Sequence, residues 1–160
     1  GLLVRGVAGG GAGEHEGIPT ELFSLTGHSY IVTCMAWSPD GETLASGGDD
    51  GVVKLWKVLP GGTPKELCTL KHSARVRYVA WSPNGQMLAS ASGYNTVKLW
   101  NVSHGETPEE QWILMGHRDN PECICYHGRV PGCFVKGHTG EVMCVAFSPD
   151  CRRIATSSDA

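Results

Sequence analysis

The sequence predicts an all-β protein built from repeated three-stranded units, and two observations support this prediction. The first is that residues 27–58 hold three short apolar runs, separated by Ser38-Pro39-Asp40-Gly41 and by a Gly/Asp-rich segment at 47–51. Because proline presets one turn dihedral and glycine accepts positive φ, both separators predict tight turns. Runs this short and rich in β-branched residues favour strands over helices. They lie at 31–37, 43–46 and 52–56.

The second observation is that this meander recurs with fixed spacing. His28 is followed by tryptophans 9 and 28 residues later, and the same two spacings follow His72. The two histidines lie 44 residues apart. A third copy begins at His138 and has Phe147 at the position of the first tryptophan. Self-similarity at such a period indicates an architecture assembled from repeated units.

A histidine near the start of each repeat, preceded by glycine in two copies, and a tryptophan near its end resemble the WD40-repeat family. The resemblance covers roughly residues 19–160 and implies WD40-type β-propeller blades, in which an outer strand lies between one repeat's tryptophan and the next repeat's histidine. Closed propellers usually have about 4–8 blades, each of about 40–45 residues. We therefore expect an incomplete, open arc of about three to four partial blades from a longer protein.

We divide the chain into a flexible leader and a partial repeat domain. Residues 1–18 are rich in glycine and alanine and show no periodicity, which is typical of a flexible segment. The repeat domain at 19–160 is expected to contain an outer strand with the first full copy, a second full copy, a degenerate or truncated blade, and an incomplete last copy. These parts lie at 19–58, 65–102, 110–136 and 137–160.

The blade between the second and last copies is shorter than the others. Only 21 residues separate His117 from His138, against a period of 44, so 23 residues are lacking. Alignment from His117 assigns 122–126 to an inner strand and 133–136 to an outer strand, without two middle strands. The blade is either naturally degenerate or has lost a segment in the gene model or the transcript. We favour the loss, because strands without neighbours leave backbone groups unpaired.

His28, Ser46 and Asp50 contain the residue types of a catalytic serine–histidine–aspartate triad. The family resemblance implies a different role, in which these three positions and Trp56 form a buried, hydrogen-bonded structural tetrad. Burial suits this chemistry, since imidazole and indole N–H groups donate and a carboxylate accepts. We favour the structural role because the other copies lose the pattern, and we expect no catalytic residues.

The later copies keep only parts of the tetrad. The second copy contains His72, Ser90 and Trp100. Tyr94 replaces its aspartate, so this tetrad is either incomplete or uses the Asn95 amide. In the last copy, His138 and Thr156 match the pattern. We therefore expect one complete tetrad in the chain.

One group of potential zinc ligands contains Cys123, Cys125, His127, Cys133 and His138. The first three alternate along a predicted strand and would share a face, and cysteine and histidine are the ligands that zinc prefers. Against zinc, Cys123 aligns with Cys34 and Cys144 in the repeat, and the spacing lacks a Cys-x-x-Cys pair. Free cysteine packs well as a small apolar residue. We favour core packing, and expect neither a metal nor another cofactor.

The cysteine content and the net charge indicate the cellular compartment and the kinds of binding partner to expect. The seven cysteines form an odd set, and the apolar stretch at residues 2–4 is too short for a signal peptide. This combination favours free thiols in a reducing compartment, so we expect an intracellular protein, cytoplasmic or nuclear. The formal net charge of −3 gives no direct indication of nucleic-acid or membrane-surface binding.

The family resemblance implies that the loops at the strand ends carry the function. Aromatic residues and arginine tend to anchor protein interfaces. The candidate partner-binding residues are Tyr30, Asp49, Arg75, Tyr94, Arg118 and Glu141. We expect a non-enzymatic WD40-repeat scaffold for protein or peptide partners. The alternative is a regulatory or substrate-targeting propeller segment of a larger multidomain enzyme or ligase complex.

Incomplete blades also have a consequence for the isolated chain. Repeat units of this kind bury their apolar faces only by stacking on neighbours. Unpaired strands offer backbone donors and acceptors to other chains. We therefore expect the isolated 160-residue chain to self-associate.

Overall fold

Antiparallel strands make up all the regular structure in the described part of the chain. The computed structural model describes residues 2–6, 20–60, 62–93, 95–103, 108–115, 125–127, 130–133 and 141–159. Within these ranges there are fourteen strands, β1 to β14, in four separate sheets, and no helix. It follows that these residues contain no helix long and apolar enough to cross a membrane.

The first complete blade is a four-stranded sheet in simple meander order. Its strands are β3 (Val32–Trp37), β4 (Thr43–Gly48), β5 (Val52–Lys57) and β6 (Lys65–Lys71). The β3–β4 turn is closed by Ser38, whose hydroxyl accepts the N–H of Thr43 at 2.9 Å. Gly41 and Gly51 have φ of 73° and 75°, so each turn uses glycine where a side chain would be strained.

The second blade repeats this meander and then continues outward. Its strands are β7 (Val76–Trp81), β8 (Met87–Ser92), β9 (Thr96–Asn101) and β10 (Glu109–Met115). Two short strands, β11 (Cys125–His127) and β12 (Val130–Cys133), extend the same sheet beyond β10, making it six-stranded.

The position of β11 corrects the expected course of the shortened blade. The sequence assigned 122–126 to the inner strand of a third blade, but Cys125–His127 pairs with β10 at the outer edge of the second. Cys133, assigned to an outer strand with 134–136, ends β12, and 134–136 lie outside the described residues. The physical reason is that β10 presents an open edge, and a strand without middle neighbours satisfies its backbone there.

The predicted flexible leader contains a strand, which is a second correction. β1 (Leu2–Gly6) pairs antiparallel with β2 (Thr20–Leu25). Leu2 and Leu25 are buried in a cluster with Leu44 and Trp56 of the first blade. This apolar contact holds β1 in place, because removing leucine side chains from water stabilises the packed strand.

The last pair of strands packs directly on the second blade. β13 (Val142–Phe147) pairs with β14 (Ile154–Ser158), and β13 contacts both β7 and β8. Val142 and Val145 are buried against Ala89 and Val97. The last copy therefore occupies the place next to the second blade.

A shared apolar core joins the first and second blades. Ala45, Val53 and Leu55 of the first blade are buried against Val79 and Leu88 of the second. The inner strands β3 and β13 flank β7 on its two sides. The expected all-β series of blades in an open arrangement is therefore confirmed.

Candidate functional site

A continuous chain of hydrogen bonds crosses the first blade. The indole Nε1 of Trp56 donates to Ser46 Oγ at 2.8 Å, and Ser46 Oγ lies 2.8 Å from His28 Nε2. His28 Nδ1 lies 3.0 Å from Asp50 Oδ2. Since indole only donates and an ionised carboxylate only accepts, Ser46 Oγ accepts from Trp56 and His28 Nδ1 donates to Asp50. The structure thus joins all four residues of the first predicted tetrad.

The burial of these hydrogen-bonded residues argues against a role for Ser46 as a nucleophile. Ser46 is fully buried, and its hydroxyl already engages both Trp56 and His28. A serine nucleophile needs an open approach to a substrate carbonyl and a position for an oxyanion. The arrangement instead ties residues 27–31, which begin with Gly27-His28 and are called the GH segment below, to β4 and β5 of the blade.

Asp50 also organises the turn in which it lies. Its carboxylate accepts the backbone N–H of Ser29 at 2.9 Å and that of Val52 at 3.4 Å. Burial raises the pKa of Asp50, but the Ser29 N–H and the His28 ring outweigh burial and hold this pKa below its ordinary value. The ionised carboxylate therefore links the GH segment to the β4–β5 turn.

The second blade has the same series of hydrogen bonds, but without the aspartate. His72 Nε2 lies 2.7 Å from Ser90 Oγ, and Trp100 Nε1 donates to the same oxygen at 2.8 Å. The buried Nδ1 of His72 has no hydrogen-bond partner within the described ranges, so the Asn95 amide does not replace the aspartate there. Tyr94 lies outside the described residues.

Burial keeps His72 neutral. Loss of water around the ring, together with the charge of Lys98, lowers the pKa of His72 to about 4. Desolvation disfavours the charged imidazolium, and a nearby ammonium acts in the same direction. In the last copy, Thr156 lies on β14 opposite Val145, while His138 is outside the described residues.

Two lysines beside the tryptophans were not anticipated from the sequence. Lys54 is buried, and its Nζ donates to Glu66 at 2.7 Å and to Thr69 at 2.9 Å. It also lies 6.0 Å from the centre of the Trp56 ring. Lys98 repeats this contact at 5.4 Å from the Trp100 ring. The signal that could have revealed them is the Val-Lys-Leu-Trp sequence shared by both copies.

The described members of the predicted partner-binding set lie on neighbouring turns. The N–H of Asp49 donates to the carbonyl of Ile31 at 2.9 Å, which brings the GH segment and the β4–β5 turn together. The equivalent bonds, from Gly93 to Arg75 and from Asp159 to Glu141, measure 3.0 and 3.2 Å. The same two turns therefore adjoin in all three copies.

These residues separate into an apolar group and a charged group. Tyr30 is 72% exposed, and the adjacent Ile31, which was not predicted, is 70% exposed. Glu141 forms ion pairs with Arg75 at 3.7 Å and with the unpredicted Arg77 at 3.2 Å, which link the second blade to the last copy. Two further candidates, Tyr94 and Arg118, lie outside the described residues.

Asp49 has a carboxylate oxygen that lacks a hydrogen-bond donor among the described residues. Its Oδ1 is buried and has no hydrogen-bond partner in the part of the chain that the structure describes. A buried carboxylate oxygen without a donor is costly unless a donor reaches it. This oxygen lies below the surface, so its unmet hydrogen bond belongs to the interior of the β4–β5 turn.

Only some of the potential zinc ligands lie in the part of the chain that the structure describes. The pairing of β11 with β12 sets Cys125 opposite Cys133, while Cys123 and His138 lie outside the described residues. No group of three potential metal ligands occurs within the described ranges. Cys34, which aligns with Cys123, packs against the core between the first two blades, and burial raises the pKa of its thiol.

Comparison with known families identifies the repeats. The family described as WD domain, G-beta repeat, matches residues 19–57, 64–101 and 129–160, which is more than half of the chain. These matches include the histidines and tryptophans of both complete blades.

Individual relatives match over about one repeat each. The Periodic tryptophan protein 2 homolog of Dictyostelium discoideum is 48% identical over 42 residues, which is 26% of this chain and 5% of that protein. The human Serine-threonine kinase receptor-associated protein is 46% identical over 43 residues, 27% of this chain and 12% of that protein. The mouse Ribosome biogenesis protein BOP1 is 59% identical over 32 residues, 20% of this chain and 4% of that protein.

Proposed function

Because this chain belongs to the WD40-repeat family, we propose that it is a non-catalytic scaffold segment that binds a protein or peptide through the turns of one face. The observation that carries this proposal is the exposed Tyr30–Ile31 pair beside the half-buried Asp49. Large apolar side chains held next to a polar anchor are typical of protein-binding surfaces.

The chemistry of this surface suggests the chemistry of its partner. Tyr30 and Ile31 offer apolar area that an aliphatic or aromatic side chain would cover, and the half-buried carboxylate of Asp49 lies beside them. A peptide with an apolar residue close to a lysine or arginine would satisfy both. The Arg75–Glu141 pair lies at the positions equivalent to Ile31 in the second and last copies and would form part of the rim of this surface.

Selection of peptides on the chain tests this proposal. A displayed random peptide library would be selected against the 160-residue chain, and the affinity of the selected peptides measured by calorimetry. We expect Tyr30→Ala to weaken binding by about tenfold or more, as for an interface anchor. Leu59→Ala is the matched control, because Leu59 is an exposed apolar residue outside these turns. Equal affinity for Tyr30→Ala and the wild type would overturn the proposal.

The alternative function is a regulatory or substrate-targeting segment of a larger multidomain enzyme or ligase complex. Its support is the name of one relative, which is a serine-threonine kinase receptor-associated protein. Under either function we propose an intracellular setting, in keeping with the free thiols of Cys34, Cys68, Cys144 and Cys151.

A further inference from the structure

Proline directly follows a serine or a threonine at five places in the chain, and their positions in the fold differ. Three of these pairs lie in the turn between the first and second strands of a copy: Ser38-Pro39, Ser82-Pro83 and Ser148-Pro149. The other two lie in the link that leads to the outer strand of a blade: Thr63-Pro64 and Thr107-Pro108. Thr107 lies outside the described residues. A hydroxyl followed by proline is the substrate pattern of proline-directed protein kinases, so accessibility decides which pair can serve.

The fold holds the hydroxyls of the three Ser-Pro pairs. Ser38 and Ser82 are 6% and 0% exposed. Ser82 Oγ donates to Asn84 at 2.7 Å and accepts the N–H of Met87 at 2.9 Å. Ser38 and Ser148 make the same two bonds in their own turns. Phosphorylation of these serines would require the turn to open first, because the kinase must bring the hydroxyl to its catalytic aspartate and to ATP.

Thr63 is presented differently. It is exposed and lies between β5 and β6, outside both strands. The N–H of Gly62 donates to the carbonyl of Leu59 at 3.1 Å, which makes a turn directly before it. A residue before proline is biased towards an extended backbone, so Pro64 favours an extended Thr63. An exposed hydroxyl on extended chain needs no local unfolding to reach a kinase.

This link lies away from the proposed binding surface. The N–H of Val58 donates to the carbonyl of Glu42 at 2.8 Å, so the link begins beside the β3–β4 turn. The GH segment and the β4–β5 turn are at the other end of the same strands. A modification of Thr63 therefore leaves Tyr30 and Ile31 uncovered.

Two lysines stand opposite each other where the link joins the sheet. Lys57 of β5 pairs with Lys65 of β6, and like charges directly opposite destabilise a strand pair. Lys57 Nζ donates to Glu42 at 2.7 Å, whereas Lys65 has no ion-pair partner among the described residues. Two residues of extended chain span about 7 Å at most, so the flexible Lys65 side chain can reach a phosphate on Thr63.

We propose that Thr63 is a phosphorylation site for a proline-directed protein kinase, and that its phosphate pairs with the ammonium group of Lys65. In the transfer, Thr63 Oγ1 forms a bond to the γ-phosphorus of ATP, and the bond from that phosphorus to the β–γ bridging oxygen breaks. ADP leaves, and the hydroxyl proton passes to the catalytic aspartate of the kinase. The phosphate brings a charge of about −1.5 to −2, which offsets the two facing lysines. This inference does not depend on the proposed binding function.

Kinase treatment of the folded chain tests the site. The 160-residue chain and three synthetic peptides, spanning 33–43, 58–68 and 77–87, would be incubated with ATP and a purified mitogen-activated protein kinase. Tandem mass spectrometry measures the rate of phosphorylation at each residue. We expect Thr63 to react in the chain at a rate close to that in its peptide. Ser38 and Ser82 should react at least about tenfold more slowly in the chain than in their peptides, since their turns must open first.

Variants of the link supply the controls. Thr63→Ser should keep the phosphorylation of this position, and Pro64→Ala should abolish it while leaving the hydroxyl in place. A peptide 58–68 that the kinase does not modify would overturn the proposal. So would a Thr63 that is as strongly protected in the folded chain as Ser38 and Ser82.

The ion pair with Lys65 has its own measurement. The second pKa of a phosphorylated side chain is ordinarily about 6. Titration followed by ³¹P NMR should give a lower pKa for phosphorylated Thr63, because a nearby ammonium favours the dianion. Lys65→Gln should raise this pKa towards 6, and Lys71→Gln, at the other end of β6, is the control that should leave it unchanged. An equal pKa in the wild type and in Lys65→Gln would overturn the ion pair.

Discussion

At the scale of single residues, the two complete blades differ in one carboxylate. His28 has Asp50 on its Nδ1, whereas the Nδ1 of His72 is buried without a partner among the described residues. Ser46 and Ser90 play the same part in both, accepting an indole N–H and engaging a histidine. The histidine, serine and tryptophan thus form the common part of the arrangement, and the carboxylate is an addition in the first blade.

Removal of Trp56 tests the structural role of this chain. Trp56→Ala removes a buried ring and leaves Ser46 without its indole donor. We expect a loss of about 3–5 kcal/mol in the free energy of unfolding, as for other buried tryptophans. Denaturant unfolding followed by circular dichroism measures it. Leu59→Ala is the exposed control and should change the midpoint little; similar losses for both variants would contradict the structural role.

Acid should destabilise the second blade through His72. The pKa of His72 is about 4 in the folded chain and about 6.5 when unfolded, so the unfolded chain binds the proton more readily between these values. The contribution of His72 is therefore fully present above pH 6.5 and is lost as the pH falls towards 4. Unfolding free energies measured across this window should fall less steeply in His72→Gln. An unchanged slope would contradict the buried, neutral state.

Supplying the missing carboxylate is a complementary test. Tyr94 stands 22 residues after His72, as Asp50 stands 22 residues after His28. We expect Tyr94→Asp to raise the pKa of His72 above about 4, since a carboxylate on Nδ1 favours the imidazolium. Titration of the His72 ring protons by NMR measures this shift. Tyr94→Asn, of similar size but uncharged, is the control and should raise this pKa less.

At the scale of elements, local pattern predicted some strands and missed others for identifiable reasons. The predicted runs at 43–46 and 52–56 became β4 (Thr43–Gly48) and β5 (Val52–Lys57), because the turn residues before each run fix its start. β4 continues two residues into the Gly/Asp-rich segment. β1 was missed because its partner β2 lies across the stretch 7–19, and pairing at that distance leaves no local signal. β11 was misplaced because alignment gives its repeat position, whereas an open edge on β10 decides its pairing.

The packing of β1 can be tested with neighbouring leucines. Leu2 is buried against Leu25 and Leu44, whereas Leu3 is half exposed. Leu2→Ala should lower the free energy of unfolding by about 2–5 kcal/mol, the usual range for a buried leucine. Leu3→Ala should have a much smaller effect, because about half of this side chain is already exposed to water. Equal losses of unfolding free energy for the two variants would contradict a packed β1 and support a flexible leader at residues 2–6.

At the scale of the whole molecule, stability is expected to come from stacking of one blade on the next. Ala45, Val53 and Leu55 share a single core with Val79 and Leu88, so neither complete blade buries its apolar side alone. The repeat period predicted this dependence, since single repeat units cannot bury their hydrophobic faces. The period could not predict that the last copy would pack directly on the second blade, because the 21-residue interval breaks the repeat there.

Native-state hydrogen exchange tests this stacking most directly. Amides of β4 in the first blade and of β8 in the second should exchange only when the shared core opens, so both strands should report the same opening free energy. Val79→Ala, at the contact between the blades, should lower that free energy for both strands by a similar amount. Separate opening free energies for β4 and β8, with Val79→Ala affecting β8 alone, would contradict a core held in common.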